Sequence, residues 1–304
     1  MMKTRRGELR RFAYPGRSGE RSESRLGEAG ESKFGAILAA QAFAMLIGAL
    51  AFAAFCHSAA ATDSFSTDWA ETAKAQARLI AAGDRLAGFE VRLAPGAITY
   101  WRDPGDAGLP PTFDFAGSEN VEKVEPLFPA PRRIREADGG EAFGYEGGVI
   151  FPLRITPRDP AKPVSLMLHA NFAVCEKICL PAEARLSLTL PGTDSPYAAP
   201  LKAALAAAPR AVPPKDFGDL SSAGADGWRL CVKAEPGPPR DLFVEPPEGW
   251  WLTSAPAPGE AGRDCFRITL RDKPKDASFP VSLRMTMTGG GGAVETTIEA
   301  APKS

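Results

Sequence analysis

Short runs of alternating apolar and polar residues dominate the chain from Phe89 to Leu190. Phe89, Val91 and Leu93 fall on one side of a run whose other side carries Glu90 and Arg92, the period of two expected of a half-buried strand. The same period recurs in Val149, Phe151, Leu153 and Ile155, in Val164, Leu166 and Leu168, and in Leu186, Leu188 and Leu190. Thr99-Tyr100-Trp101 also reads as strand. Pro95-Gly96 and Pro191-Gly192 supply turns, and Asp103 to Gly108 reads as loop. Two segments instead predict helix. Asp68 to Arg85 is one; Ser195 to Arg210, rich in alanine and broken by Val212-Pro213-Pro214, is placed as a linker helix between two lobes.

The second lobe repeats part of the first. Arg154-Ile155-Thr156-Pro157-Arg158-Asp159 is followed by Pro163-Val164-Ser165-Leu166, and Arg267-Ile268-Thr269-Leu270-Arg271-Asp272 by Pro280-Val281-Ser282-Leu283. The expectation is an internal duplication. After the second copy of this strand pair comes Gly289-Gly290-Gly291-Gly292; after the first come two cysteines. A glycine turn suffices to join such strands, so the cysteine segment is an addition that folding alone does not demand. With 30 glycines and 29 prolines, turns are frequent. The expected fold is therefore all-β: two immunoglobulin-like β-sandwich lobes, at 62–193 and 212–304, joined by a short helical segment at 194–211 and preceded by an N-terminal segment at 1–61.

That leading segment reads as targeting. Phe34 to Phe55 carries no charge and follows Lys33 and an arginine-rich stretch, and Ala59-Ala60-Ala61 offers a small-x-small cleavage site before Thr62. The apolar run is also long enough to serve as an uncleaved anchor. Either way the rest is placed outside the cytoplasm by the positive-inside rule. The net charge of −1 conceals a basic leader, so the remainder is mildly acidic and lacks the footprint nucleic-acid binding needs.

Beyond Ala61 lie Cys175, Cys179, Cys231 and Cys265, an even set that reads as disulfides in an exported chain, with three connectivities open. Fully extended, Cys175 and Cys179 would lie ~13 Å apart, so a bridge between them requires Glu176-Lys177-Ile178 to turn. A loop that small contributes little stability, which makes the pair a poor staple and a good exchange centre. Lys177 favours a thiolate nearby and Glu176 opposes it.

The stretch Val174-Cys175-Glu176-Lys177-Ile178-Cys179-Leu180-Pro181-Ala182-Glu183 resembles the cysteine loop of the N-terminal periplasmic domain of the thiol:disulfide interchange proteins of the DsbD and ScsB type. Ala94 to Gly105, Gly108-Leu109-Pro110-Pro111, Gly117-Ser118-Glu119-Asn120 and Phe128 to Arg132 resemble it too. The likeness spans about residues 65–193. It implies an immunoglobulin-like sandwich in the periplasm that accepts electrons from a membrane-embedded donor and passes them to periplasmic disulfide or thioredoxin-like proteins. It implies that Cys179 attacks and Cys175 resolves, with Tyr100 and Trp101 as supporting aromatics and no cofactor or metal. A cap loop is implied within Pro129–Phe143. Members of the family continue into a multi-helix membrane domain and a thioredoxin-like domain; neither pattern follows here, so a separate donor is expected. Three residues separate the cysteines, fewer than in some better-known members.

Cys231 and Cys265 fall on the polar side of strands whose other faces carry Trp228, Leu230, Val232 and Phe266, Ile268, Leu270. That parity suits a bridge between strands or a pair at a lobe interface; a structural disulfide is expected, with a second exchange pair relaying electrons between the lobes as the alternative. His169, with Cys175 and Cys179, offers an alternative copper or zinc site lacking a fourth ligand. A further alternative is a non-catalytic sandwich that binds a partner and keeps both bridges as staples.

Overall fold

The computed structural model describes residues 64–105, 108–135, 140–192, 195–259 and 261–301. The basic leader, the apolar run Phe34–Phe55 and Ala59-Ala60-Ala61 lie outside the described residues. No helix among the described residues is long and apolar enough to cross a membrane.

The alternating runs form strands. In the first lobe these are β1 (Ala70–Thr72), β2 (Ala75–Ala81), β3 (Leu86–Leu93), β4 (Ile98–Gly105), β5 (Thr112–Asp114), β6 (Val121–Pro126), β7 (Arg132–Arg135), β8 (Glu141–Glu146), β9 (Gly148–Pro157), β10 (Ser165–Cys175) and β11 (Cys179–Thr189). One sheet runs β1-β2-β3-β9-β6; the other runs β11-β10-β4-β8-β7, with β5 also paired to β10. Their inner faces close on Phe89, Phe151, Phe172 and Leu166, with Phe113 and Phe128 at the margin. Phe89 meets Phe113 edge-on at 5.6 Å and Phe172 at 5.7 Å, a favoured aromatic geometry.

The helix expected over Asp68–Arg85 does not form; β1 and β2 occupy that stretch. Ala75, Ala77, Leu79 and Ala81 are buried, and β2 pairs along its length with β3. Burial of this face in the first core and the ladder to β3 outweigh the intrinsic helix preference of alanine.

The helix of the second alanine-rich stretch does form, as α1 (Ala198–Ala207). It packs onto the outside of the first sheet. Leu201 is fully buried there, and a Cβ on Gly88 would lie 2.5 Å from its Cδ2, so β3 must carry glycine at that point. The chain then enters the second lobe through β12 (Arg210–Ala211), α2 (Pro214–Phe217), β13 (Asp219–Ser222), β14 (Gly227–Lys233), β15 (Asp241–Glu245), β16 (Trp251–Ala257), β17 (Arg263–Asp272), β18 (Val281–Thr288) and β19 (Val294–Ala300).

The strand order of the second lobe follows that of the first. Its sheets run β13-β14-β17-β16 and β12-β19-β18-β15, matching β2-β3-β9-β6 and β11-β10-β4. The repeated sequence pair thus lies on β9/β10 and on β17/β18, and in both lobes it crosses from one sheet to the other. Trp228, Leu230, Phe266, Ile268, Leu283 and Met285 fill the second core. The molecule is all-β, with two immunoglobulin-like sandwich lobes.

The lobes meet through β4, β7 and β8 of the first and β15, β18 and β19 of the second. Trp101 stands edge-on to Phe243 at 5.8 Å, and Phe143 to the same ring at 4.9 Å. Arg133 forks onto Asp241 at 3.0 Å and lies over the Phe143 and Phe243 rings. Arg102 forks onto Glu245 at 2.8 and 2.7 Å and reaches Glu295 at 2.8 Å. Burial opposes the Arg102 charge, yet the hydrogen bonds and charges of Glu245 and Glu295 outweigh it and hold the guanidinium above its ordinary pKa.

Candidate functional site

β10 and β11 form one hairpin in unbroken register from Ser165↔Thr189 to Cys175↔Cys179. The cysteine segment that follows the first copy of the strand pair is therefore strand up to Cys175, and only Glu176-Lys177-Ile178 turn. In an antiparallel pair, directly opposed residues bring their side chains together. The sulfurs are bonded at 2.03 Å with the Cα atoms 4.1 Å apart.

Two anchors set this hairpin in place. Asn120, at φ +56°, donates from Nδ2 to the carbonyls of Asp159 and Lys162 at 2.9 Å each, and its Oδ1 accepts from the Asp159 amide at 2.8 Å. Asparagine tolerates that left-handed backbone better than most residues. The connection that feeds β10 is thereby fixed. At the other end, buried Thr99 donates from Oγ1 to the Ala173 carbonyl at 2.8 Å and sets the pairing of Cys175 with Ile98.

The two sulfurs have unlike surroundings. Cys175 is 4% exposed and sits in a small apolar cluster with Ile98, Tyr100, Ala142 and Ala173, flanked by Ile134. Cys179 is exposed at the free end of β11. The Tyr100 hydroxyl lies 2.8 Å from the Cys175 Sγ and 3.3 Å from the Cys179 Sγ. A bonded disulfide carries no hydrogen, so the phenol is the donor. Lys74, on the turn between β1 and β2, pairs with Glu176 and holds its carboxyl below the ordinary glutamate value, chiefly through their hydrogen bond. The one acidic residue in the turn thus has a cation beside it.

Trp101, expected beside the pair, belongs to the first core and to Phe243 instead. Adjacent strand residues point to opposite faces, so only one of Tyr100 and Trp101 can meet the sulfurs. The stretch expected to hold a cap, Pro129–Phe143, supplies Ile134 and Ala142 to the cluster around Cys175. A different residue lies on the tyrosine ring. A Cβ on Gly108 (φ +118°) would stand 2.3–2.6 Å from three of its carbons. In the sequence Gly108 is one residue of the Gly108-Leu109-Pro110-Pro111 motif; that a glycine covers an aromatic ring has no local signal. Leu109 and Ile178, 62% and 67% exposed, flank the site. Gly108→Ala is expected to lift this segment, since the added carbon overlaps the ring and the backbone is strained. Reduction of Cys175–Cys179 by dithiothreitol should then speed up about tenfold; an unchanged rate shows that Gly108 does not restrict access.

The copper or zinc alternative does not assemble. His169 lies six positions before Cys175 on the same strand, about 20 Å away at ~3.3 Å per residue. Its Nε2 is 2.9 Å from Glu183 Oε1. Among the described residues no three His, Cys, Asp or Glu side chains gather as a metal site.

Cys231 and Cys265 stand directly opposite each other on β14 and β17, bonded, with Cα atoms 4.2 Å apart. Neither joins the second core. They are nevertheless 7% and 3% exposed, so the face read as polar is covered at this point. Neighbouring strands lie on both sides of the pair, Asp219 of β13 beside Cys231 and Ala257 of β16 beside Cys265, and Arg263 donates to the Cys231 carbonyl at 2.9 Å.

A model of the family described as thiol:disulfide interchange protein DsbD, N-terminal, matches residues 67–191. No curated protein sequence matches the chain significantly. Among solved structures, the N-terminal periplasmic domain of ScsB from Proteus mirabilis superposes with a TM-score of 0.63 at 21% identity, over 79% of this chain and 99% of that one. A match of that extent runs beyond the family segment, so the likeness in fold takes in the second lobe. The matched residues 67–191 contain the whole β10–β11 hairpin and the bonded cysteines at its tip, so the likeness to the N-terminal domain of the thiol:disulfide interchange protein DsbD takes in the site itself.

Proposed function

We propose that this chain is a periplasmic thiol–disulfide interchange module that passes electrons from a membrane-embedded donor to envelope disulfide or thioredoxin-like proteins through Cys175 and Cys179. The family match over residues 67–191 supports the chemistry, and the periplasmic origin of the ScsB domain supports the compartment. The observation that carries the reading is the asymmetry of the pair: an exposed Cys179 bonded to a buried Cys175 that faces the Tyr100 hydroxyl.

That asymmetry supports Cys179 as the attacking and Cys175 as the resolving sulfur. A donor thiolate attacks the accessible Cys179 Sγ, a mixed disulfide forms, and Cys175 leaves as a thiolate toward the phenolic proton of Tyr100. A second donor thiol releases Cys179, leaving both cysteines reduced. In the onward step the Cys179 thiolate attacks the substrate disulfide and Cys175 displaces the bound substrate sulfur, which restores the 175–179 bond. Two electrons move in each half, and neither needs an organic cofactor or metal.

Titration against glutathione buffers tests this. The pair should reduce reversibly between about −270 and −120 mV, the range of known exchange proteins, with the sandwich intact. Resistance until the fold is lost ends the proposal. Tyr100→Phe should shift the equilibrium toward the disulfide by about tenfold, because the phenol favours the Cys175 thiolate over the bonded sulfur. The same titration measures it as a potential about 30 mV more negative.

A further inference from the structure

β4 carries Tyr100, and its register with β8 is interrupted directly after that residue. β4 and β8 pair at Ile98↔Glu146, Thr99↔Tyr145 and Tyr100↔Gly144, and pairing resumes only at Gly105↔Ala142. Four residues of β4, Trp101 to Pro104, thus stand opposite Phe143 alone. A bulge of this size interrupts the β4–β8 register just after Tyr100 and bends the strand.

The second lobe takes over where the ladder stops. Arg102, in the middle of the bulge, gives two hydrogen bonds to Glu245, one to Glu295 at 2.8 Å and one to Thr286 Oγ1 at 3.3 Å. The guanidinium stacks 4.3 Å from the Trp101 ring, which itself abuts Phe243. The Arg102 side chain is 15% exposed, and Glu245 and Glu295 are 15% and 19% exposed. A forked, largely desolvated arginine of this kind fixes geometry in a way a single point charge cannot. Immediately after the bulge the chain turns at Gly105 (φ +83°), where a Cβ would meet the Glu141 carbonyl at 2.8 Å, and goes on to the Gly108 segment over the Tyr100 ring.

We infer that Arg102 is a positioning residue for the redox centre, and that the second lobe, through Glu245 and Glu295, holds Tyr100 against Cys175 and the Gly108 segment over Tyr100. The second lobe carries no exchange hairpin; in this arrangement it governs access to the one in the first. The inference rests on the exchange role of Cys175 and Cys179.

The full chain tests it, with the two disulfides reporting separately. Dithiothreitol reduction is followed by maleimide labelling and peptide mass spectrometry, and amide exchange is read over residues 98–105. In Arg102→Met, reduction of Cys175–Cys179 and exchange over 98–105 should both rise about tenfold, because both track the population of the opened segment. Reduction of Cys231–Cys265 should stay within twofold. Arg284→Gln removes another arginine that pairs with Glu295, at 3.0 Å, but lies within the second lobe; it should leave both rates unchanged. A purely structural role moves the two disulfides together, and that result, or no change in either, overturns the inference. So does an Arg284→Gln effect equal to that of Arg102→Met. If Arg102→Met fails to fold because two carboxylates lose their counter-charge, the triple variant R102M/E245Q/E295Q removes those charges and is judged by the same criteria. Should Cys175–Cys179 in the folded wild type not react with dithiothreitol at all, the exchange reading falls, and amide exchange alone decides whether Arg102 holds β4.

Discussion

Replacing Cys179 by alanine is expected to reduce thiol–disulfide exchange to background, a fall of at least about a thousandfold, as removal of a reacting nucleophile does elsewhere. Replacing Cys175 should have the opposite visible result. With the resolving sulfur gone, the first attack still occurs at exposed Cys179, but nothing within the chain can displace the partner. Mixed disulfides should accumulate. Expressed in the envelope, Cys175→Ala should carry covalently linked partners that dithiothreitol releases and that mass spectrometry identifies, while Cys179→Ala carries none. The prediction separates the two sulfurs because burial separates them: a partner sulfur needs an in-line approach, and Cys175 at 4% exposure does not offer one. Equal trapping by both single variants would show that the asymmetry has no kinetic meaning.

The second large effect concerns stability. Cys231 and Cys265 are separated by 34 positions and Cys175 and Cys179 by 4. In the chain-entropy account, closing the longer loop contributes about 3–4 kcal/mol and the shorter about 2 kcal/mol. We expect the double variant Cys231→Ala/Cys265→Ala to melt roughly 10 °C lower, given the size of the protein, with its exchange activity retained. Reduction of Cys175–Cys179 alone should cost much less, since the hairpin is already zipped from Ser165↔Thr189 upward by strand pairing. Differential scanning calorimetry on the oxidised chain, the selectively reduced chain and the double variant orders the three. A double variant that stays folded yet loses exchange would mean that the second disulfide relays electrons; one that melts within about 2 °C of wild type would mean that it is no staple.

Much of the fold can be read from single residues because strand formation leaves a local trace. Phe89-Val91-Leu93 and Phe151-Leu153-Ile155 alternate as a sheet with one buried face requires, and all but Leu93 are buried as expected. The failure over Asp68–Arg85 is equally informative. Alanine-rich sequence favours helix when isolated, and nothing within those residues reveals that the face carrying Ala75, Ala77, Leu79 and Ala81 is buried against a second sheet. The site divides the same way. Spacing alone required a turn between Cys175 and Cys179, and the family motifs led to Tyr100. Trp101, one residue on, faces the first core instead, and the parity that sends the two rings to opposite faces depends on which face the core occupies.

What the sequence determined by itself was the set of strands with clear alternation, the repeated order of strands between the lobes, and the cysteine pair that must meet at a turn. These follow from local stereochemistry: a period of two, a bend forced by short spacing, a turn residue where the chain reverses. Only the tertiary structure decided that Cys175 is buried and Cys179 open, that Gly108 lies on the Tyr100 ring, and that Arg102 finds Glu245 and Glu295, 143 and 193 residues away. Those facts depend on which surfaces are brought together when two sandwiches pack. Burial and counter-charge are properties of the assembled surroundings, and no window along the chain contains them.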